Sequence, residues 1–506
     1  MKHSIRFLIL LCFLIQLPSC KMAELNQSGD PLSASFFQTV LFRDLIKPGP
    51  EVYCDTSTRW RKTLGETGTN SVYVTTILPT LTHDIIIAGV TRKNLGTGKN
   101  FDFTGTEGTT FNWFIAKLSG GDGSIVWVDY FGETLNSIVA STDLNVLPKL
   151  NHYANGEFAI TWSAKQGIPG ALNAFGLNFS FGIARYDDNG SRKWHTYLNL
   201  GSNGDEKFTS AIDSQDNVHF FANVTSSGGF ENFPTPTNSA SGGIDIIYGL
   251  VSEAGTFKSQ KYIGSNGSDK FTDAIRLGDS VYLGGETDNN ITGTTDHPSI
   301  GFSKAYIAKL ESNLTVSSIL YRGSATNFST KFRKFTTDKV NLYYIGTSED
   351  SFGNPTSSFQ GSSKNFFYES ITKDLSPVWL TFLGSAGFSV VDGLRTALLA
   401  PESGKNLYSN LLGGSSFQRY SGIDSVSTGD GTGVLQKTSV KLNSKTGRYE
   451  TVVYSSNFTS PKIGTITNTR EICKGKIIRM ELVLTNNTLD SNIFSELSVF
   501  PTRELP

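Results

Sequence analysis

Apolar residues in this chain come in short runs closed off by polar turns, and the runs recur. Ile85-Ile-Ile-Ala-Gly-Val-Thr91, Val218-His-Phe-Phe-Ala-Asn-Val-Thr225, Val281-Tyr-Leu-Gly-Gly-Glu-Thr287 and Val340-Asn-Leu-Tyr-Tyr-Ile-Gly-Thr347 share one pattern, with a degenerate copy at Asn406–Gly413. Each leads through a Gly/Ser/Thr/Asn/Pro-rich stretch to a second run, as in Phe114–Leu118, Phe181–Tyr186 and Tyr306–Leu310. β-Branched and aromatic residues dominate, and no segment sustains a period of about 3.6, so the pattern predicts strands. Gly121-Asp-Gly123 and Asp187-Asp-Asn-Gly190 supply the positive φ of tight hairpin turns.

The runs belong to a longer repeat. Trp60, Trp127 and Trp194 are 67 positions apart, and each is followed shortly by a glycine: Gly65, Gly132 and Gly201. An aromatic-aliphatic-Gly ending returns at Gly264 and at Gly384, the latter preceded by Trp379, with a weaker copy at Gly323. Every unit then holds four short antiparallel strands. Four-stranded sheets repeated head to tail predict a β-propeller, in which each sheet buries both faces against its neighbours. Double burial explains why the strands read as continuously apolar. Six units span about residues 65–455, and residues 465–500 complete a seventh with the outer strand supplied by residues 55–64. In that reading Thr465–Leu484 provides the first two strands of the closing unit. The expected fold is all-β: seven four-stranded blades within residues 36–506, closed by pairing of N- and C-terminal strands.

The turn pattern Asp/Ser-x-x-Gly-x-x-x-Trp-x-x-Tyr-Phe/Leu-Gly, the stretch Ala211–Val218 and Ile-Ala-Lys-Leu resemble the repeats of bacterial seven-bladed propellers found in secreted and lipid-anchored proteins. The resemblance covers about residues 55–455. It implies a fold; such scaffolds host many activities.

The first residues fit export. Lys2, His3 and Arg6 precede the apolar stretch Phe7–Leu17, about eleven residues, which has the length of a signal-peptide core and is too short to span a bilayer. Leu17-Pro18-Ser19-Cys20 resembles a loose lipobox, the bacterial lipoprotein processing signal. The resemblance implies cleavage after Ser19, a diacylglyceryl group on the Cys20 thiol and an acylatable new amino group. Residues 1–19 are then a signal peptide and residues 20–35 a lipidated cysteine with a polar tether. The expected location is the bacterial cell envelope, lipid-anchored in the outer membrane with exposure at the cell surface. With Cys12 removed and Cys20 lipidated, Cys54 and Cys473 remain, and the closure above puts both in one blade. A bridge across so long a loop would stabilise by about 4–5 kcal/mol in the chain-entropy model.

Charge removes one class of partner. Lys+Arg total 44 against 45 Asp+Glu, so the electrostatic footprint of a nucleic-acid binder is missing. Hydrophobic residues are 38%, yet aromatics reach 12% and glycines number 51, which suits strands joined by turns.

Catalytic and metal motifs are not legible. His3, His83, His152, His195, His219 and His297 stand outside metal-ligand spacing, and no Cys-x-x-Cys, Walker or dinucleotide fingerprint occurs. His195 and His219 read as solvent-facing strand residues. The acidic stretches 187–190, 213–217 and 288–290 are suited to calcium by their oxygens but to turns by their types, and the turn reading is preferred. The Asp…Gly…Trp turn also resembles quinone-dependent dehydrogenase propellers, whose adjacent cysteine pair is missing here. No cofactor and no metal are therefore expected.

Two functions compete. One is a binding or adhesion module for host or envelope proteins or glycans, with Phe103, Phe111, Phe230 and Phe233 of the loops 92–112 and 226–243 as exposed contacts. The other is an envelope enzyme acting on saccharides or peptides in the propeller channel. The innermost positions Ala140, Ala211, Ala274 and Leu394 are apolar or small, which weighs against a charged channel. A structural envelope component is a third, blander reading.

Overall fold

A computed structural model describes residues 55–65, 72–80, 82–133, 148–176, 180–200, 204–225, 229–313, 315–359, 364–384, 395–399, 406–413, 436–455, 465–473, 476–486 and 494–500. The signal peptide, Cys20, the tether, Cys54 and Gly201 lie outside them. The chain divides into two compact units, residues 1–55 with 472–476 and residues 56–471 with 477–506. The strands considered below belong to the second, apart from the terminal residues Asp55, Ile472, Cys473 and Lys476. Among the described residues no helix is long and apolar enough to cross a membrane.

Strand β1 (Asp55–Thr63) comes first. Sheets in chain order are then β2 (Val72–Pro79), β3 (Ile85–Thr91), β4 (Asn112–Leu118) and β5 (Ile125–Glu133); β6 (Lys149–His152), β7 (Phe158–Ala164), β8 (Ser180–Tyr186) and β9 (Arg192–Asn199). The third holds β10 (Gly204–Ile212), β11 (Val218–Val224), β12 (Asp245–Val251) and β13 (Phe257–Ile263). The fourth holds β14 (Asp269–Leu277), β15 (Ser280–Thr287), β16 (Lys304–Leu310) and β17 (Val316–Arg322). The fifth holds β18 (Thr330–Thr337), β19 (Asn341–Ser348), β20 (Asn365–Thr372) and β21 (Pro377–Leu383). The sixth holds β22 (Arg395–Leu399), β23 (Asn406–Gly413), β24 (Gln436–Asn443) and β25 (Tyr449–Ser455). The last joins both ends of the chain in the order β1-β26-β27-β28, with β26 (Thr465–Cys473), β27 (Lys476–Asn486) and β28 (Phe494–Phe500).

First strands touch first strands: β2 meets β6, β6 meets β10, and the succession continues through β14, β18 and β22 to β28, which also touches β2. Thus β28, not β26, takes the inner place of the last sheet, and β26 lies third, beside β1. Sequence pattern specifies hairpin neighbours in a meander; it does not say which end of the meander faces inward.

Cores lie between sheets rather than within them. Ile86, Trp113, Phe131, Phe158, Trp162 and Tyr186 form one buried cluster drawn from the first two sheets. Further clusters join the second sheet to the third and the third to the fourth. Strands β3, β4, β7, β8, β11 and β12 are buried along their whole length, the expected mark of sheets covered on both faces. One bulge recurs near the start of the fourth strand in six sheets, opposite the third-strand residues Lys117/Leu118, Arg185/Tyr186, Leu250/Val251, Lys309/Leu310, Ser370/Ile371 and Lys441/Leu442.

Tryptophans lock four of the sheets to the next. Trp60 donates its indole N–H to Gly120 O at 3.1 Å, Trp127 to Asp188 O at 3.3 Å, Trp194 to Glu253 O at 2.8 Å and Trp379 to Ser444 O at 2.7 Å. Every acceptor lies in the hairpin turn between the third and fourth strands of the following sheet. The same turns carry Gly123, Gly190, Gly255 and Gly447 at φ of 72°, 80°, 80° and 67°. A Cβ there would come within 2.4–2.9 Å of the indole ring: 2.6 Å at Gly123, 2.5 Å at Gly190, 2.9 Å at Gly255 and 2.4 Å at Gly447. Glycine is thus required twice, for backbone conformation and for ring space. Where Ser318 replaces the tryptophan, the following turn has Leu375 at φ 61°, and Tyr282 Oη donates to Lys373 O at 2.6 Å instead.

The aromatic-aliphatic-Gly ending has its own geometry. A Cβ on Gly264 would lie 1.7 Å from Asp245 Oδ1, and one on Gly384 would lie 1.9 Å from Asn365 Oδ1. Gly323 faces Lys304 in the same way, at 2.8 Å from its side chain. Asp245, Lys304 and Asn365 each open a third strand, so the glycine makes room for that strand's first polar side chain. Gly132 is at φ 86° against Gln166, and Gly65 packs on Val72.

Candidate functional site at the inner strands

The inner strands carry charge where small apolar residues were expected. Ala211 and Ala274 are buried, while Ala140 and Leu394 lie outside the described residues. Beside the two alanines, Lys149 from β6 reaches across the third sheet to the fourth. Its ammonium donates to Thr209 Oγ1 at 2.9 Å, to Asp273 Oδ1 at 2.8 Å and to Ala274 O at 2.9 Å. Asp273 Oδ2 in turn accepts the amide of Phe335 on β18 at 3.1 Å. One ion pair therefore spans four successive sheets. The neighbouring strands are tied similarly: Asn151 Nδ2 donates to Ser210 Oγ at 2.9 Å, and His152 Nε2 lies 2.7 Å from Pro79 O.

The pair is only partly open, with side-chain exposures of 23% for Lys149 and 9% for Asp273. Burial pulls Lys149 below the ordinary lysine range, with Lys334 pushing the same way and Asp273 opposing. Burial pushes Asp273 up, but Lys149, Lys334 and the Phe335 amide overcome it and hold the carboxyl below its usual value. Two lysines thus converge on one aspartate that stays ionised. Sequence reading passed over these residues, although a repeat column held the signal. Thr209, Asp273 and Lys334 occupy equivalent inner-strand positions, opposite Phe221, Gly284 and Ile345.

A second set of ionisable groups lies inside the sheets. His219 is fully buried, not solvent-facing: Nε2 sits 3.0 Å from Asp213 Oδ2 and Nδ1 bonds Tyr248 Oη. Burial would raise Asp213, yet His219 and Asn217 bring it down to about 2. His195 is buried as well, with Nε2 3.3 Å from Ile168 O, and burial with Arg192 lowers its pKa to about 4. Both histidines were misplaced for one reason: β11 is buried along its whole length, and β9 is buried from His195 onward. Glu369 is held by Arg322 through two bonds of 2.8 and 2.7 Å and by Tyr344 Oη.

Acidic turns do what turn residues do. Asp187 Oδ1 accepts the amides of Asn189 and Ser191, Asp213 Oδ1 those of Gln215 and Asn217, and Asp288 Oδ1 that of Ser268. Among the described residues no cluster of three acidic, histidine or cysteine side chains could hold a metal ion.

The long connections between second and third strands are straps rather than free loops. Strap 92–111 lies along β5: Lys99 N donates to Val128 O at 2.7 Å and Tyr130 N to Phe101 O at 3.2 Å. Asp129 fixes it by accepting the amides of Asn100 and Phe101 and the Asn100 Nδ2, while Tyr186 Oη donates to the same carboxylate at 2.6 Å. The four loop phenylalanines are therefore not exposed contacts. Phe111, Phe230 and Phe233 are buried, and Phe103 packs edge-on against Tyr130 at 5.7 Å. Apolar anchors let each strap close over its own sheet.

On the surface between the second and third sheets lies an open cleft of about 590 Å³ lined by Glu157, Arg185, Trp194, Asn217, Glu253 and Lys258. Its charges are largely paired: Arg185 with Glu157 at 2.5 Å and with Glu253 at 2.9 Å, and Lys258 with Asn217 Oδ1 at 2.8 Å.

No protein-family model matches the chain, and no curated protein matches it in sequence. Solved structures resemble it loosely. The hemagglutinin-neuraminidase of Parainfluenza Virus 5 is 9% identical at a TM-score of 0.32, covering 70% of this chain and 88% of that one. A quinohemoprotein alcohol dehydrogenase from Pseudomonas putida is 8% identical at 0.39, covering 86% and 72%. An ulvan lyase is 10% identical at 0.30, covering 86% of each chain. Likenesses this distant assign neither activity nor ligand.

Proposed function

We propose that this chain is an exported, lipid-anchored protein whose seven sheets close into a propeller acting as an interaction module. The observation that carries the module reading is how the inner-strand charges are used. Acid–base catalysis near neutral pH needs a group poised to exchange a proton with substrate. Here Asp273 is held ionised by Lys149, Lys334 and an amide, and the pair ties four sheets together. Glu369 is likewise bound bidentately by Arg322. These charges build the scaffold, and the straps complete a rigid, pre-organised rim suited to recognition.

Closure is supported by the contact of β28 with both β22 and β2, and by the sheet that joins β1 to β26. β1 begins directly after Cys54 and β26 ends on Cys473, which supports the proposal that these cysteines are bridged. Non-reducing peptide mapping tests it, and two free thiols would remove the bridge. The anchor rests on Lys2, His3, Arg6, the apolar stretch 7–17 and Cys20. A single acyl chain binds membranes only reversibly, so Cys20 would carry more than one.

An envelope enzyme is the second reading, favoured by one observation: Lys149 and Lys334 from two inner strands act on Asp273 of a third. Metabolic acyl labelling combined with protease treatment of intact cells tests the first reading. Labelled protein cleaved on whole cells is the expected result. Labelled protein that resists until the envelope is opened would favour an enzyme or assembly role inside, and unlabelled Cys20 would remove the anchor.

A further inference from the structure

Four outer strands are covered by their own straps through backbone hydrogen bonds. On β5 the contacts are Lys99 N to Val128 O and Tyr130 N to Phe101 O. On β9 Leu172 N donates to His195 O at 2.9 Å. On β13 Thr237 N donates to Gln260 O at 3.2 Å, and the Asn238 amide clamps Tyr262 N and O at 2.8 and 3.0 Å. On β21 Thr356 N donates to Leu380 O at 2.7 Å and Phe382 N to Ser357 O at 3.0 Å. Two of these contacts are parallel β-bridges, Gly98 to Val128 and Pro355 to Leu380.

Strand β17 breaks the pattern. Ile319 faces Ala308 in the register in which Val128 faces Ala116, and Tyr321 corresponds likewise to Tyr130. Ile319 O and Tyr321 N are thus the groups a strap would bond. Its strap begins as its sisters do, with Ile291 N on Tyr321 Oη as Leu95 N is on Tyr130 Oη and Ile168 N on Tyr197 Oη, but its backbone bonds then go elsewhere, from Thr292 N to Gly264 O and from Gly301 N to Asp288 O. Among the described residues no backbone group reaches the outer edge of β17. That edge runs Val316-Ser-Ser-Ile-Leu-Tyr321 with neither charge nor proline, although exposed edges are ordinarily protected by both. Ser317 and Ser318 are exposed, and Ile300 and Phe328, on segments leading into and out of the last two strands of this sheet, are 60% and 50% exposed.

We propose that the outer edge of β17 is where a partner polypeptide docks, adding an extended, uncharged segment as a fifth strand parallel to β17. The occupant's extended form is read from the sister sheets, and its lack of charge from the straps on β9, β13 and β21, which pair through Leu172, Thr237 and Thr356, whereas the strap on β5 pairs through Lys99. Main-chain bonds to Ile319 O and Tyr321 N would set its register. The absence of charge from Val316 to Tyr321 calls for an equally uncharged partner strand. The proposal rests on the interaction-module reading and names the surface that reading leaves open.

The test uses the purified full chain and, as probe, a synthetic peptide copying Gly353–Phe359, the strap segment that pairs with β21. Deuterium exchange is followed across residues 316–322. Peptide should slow exchange there by about tenfold or more, Ser318→Ala should preserve the effect, and Ile319→Pro should abolish it by placing ring methylenes on the outer edge beside Ile319 O, where the added strand must approach. Unchanged exchange at saturating peptide, or protection that survives Ile319→Pro, overturns the proposal. Protection that needs no peptide and rises with protein concentration assigns the edge to a second copy and also overturns it. Acyl labelling and cell-surface cleavage are read separately, so failure of the module reading is distinguishable from failure of this site.

Discussion

Replacing Gly190 by alanine separates the two demands that the sheet-to-sheet lock makes of one residue. The backbone demand is a φ of 80°, which costs an L-residue about 1 kcal/mol relative to glycine. The packing demand is space for Trp127, since the new methyl would sit 2.5 Å from the ring at Cδ2. That ring cannot retreat freely. It stacks at 6.1 Å on Phe158 and 6.2 Å on Tyr186, within 7° of parallel, and it is 8% exposed. Overpacking of this kind costs about 1–3 kcal/mol, so Gly190→Ala should destabilise by about 2–4 kcal/mol in total. Gly278 supplies the control, because it lies at φ 62° with nothing within 4 Å of its Cβ position. Gly278→Ala should cost only the backbone part, about 1 kcal/mol. Urea denaturation of the full chain in detergent, followed by tryptophan fluorescence and far-UV dichroism, compares the midpoints. In a Trp127→Ala background, itself about 3–5 kcal/mol less stable, Gly190→Ala should fall to the cost seen at Gly278. Equal losses for Gly190→Ala and Gly278→Ala in the wild-type background would refute the reasoning.

Further predictions concern the charges and one strap. Lys149→Met should destabilise by about 1–3 kcal/mol, less than a fully buried pair because the lysine is 23% exposed, and adding Asp273→Asn should recover part of the loss in a thermal melt. Asp213 titrates at about 2 in the fold against 3.8 ordinarily, so its contribution is present above about pH 4 and is lost as pH falls towards 2; Asp213→Asn should flatten the acid limb of a stability–pH curve. Asp269 runs the other way, raised to about 6 chiefly by burial, so its ionisation costs stability as pH rises from about 4 to 6. Asp269→Asn should therefore stabilise at pH 7.5, by at most about 3 kcal/mol for a two-unit shift, and should gain nothing at pH 3.5. Asp129→Ala removes the acceptor for the Asn100 and Phe101 amides, and these should exchange with deuterium about as fast as exposed loop amides while β3 and β4 stay protected.

What the sequence disclosed follows from range. Strand runs, hairpin glycines and the Trp-to-Gly spacing are local, and local signals survive in one sequence: Trp127 and Gly190 belong to consecutive repeats, and both residue types repeat with them. The histidines went wrong because alternation was taken to imply a wet face, whereas sheets stacked on both sides put His195 and His219 at 3% and 0% exposure. The loop phenylalanines went wrong for a related reason, because a Gly- and Ser-rich connection reads as free until its aromatic anchors are seen against the outer strand. Lys149 and Asp273 are harder still, standing 124 positions apart with a whole sheet between them. Their encounter depends on inner strands converging, which periodicity cannot express. The uncovered edge of β17 combines both cases. Ser318 in the tryptophan place marks the strand as atypical, but only the backbone bonds made by the straps on β5, β9, β13 and β21 reveal that this edge is left without its cover.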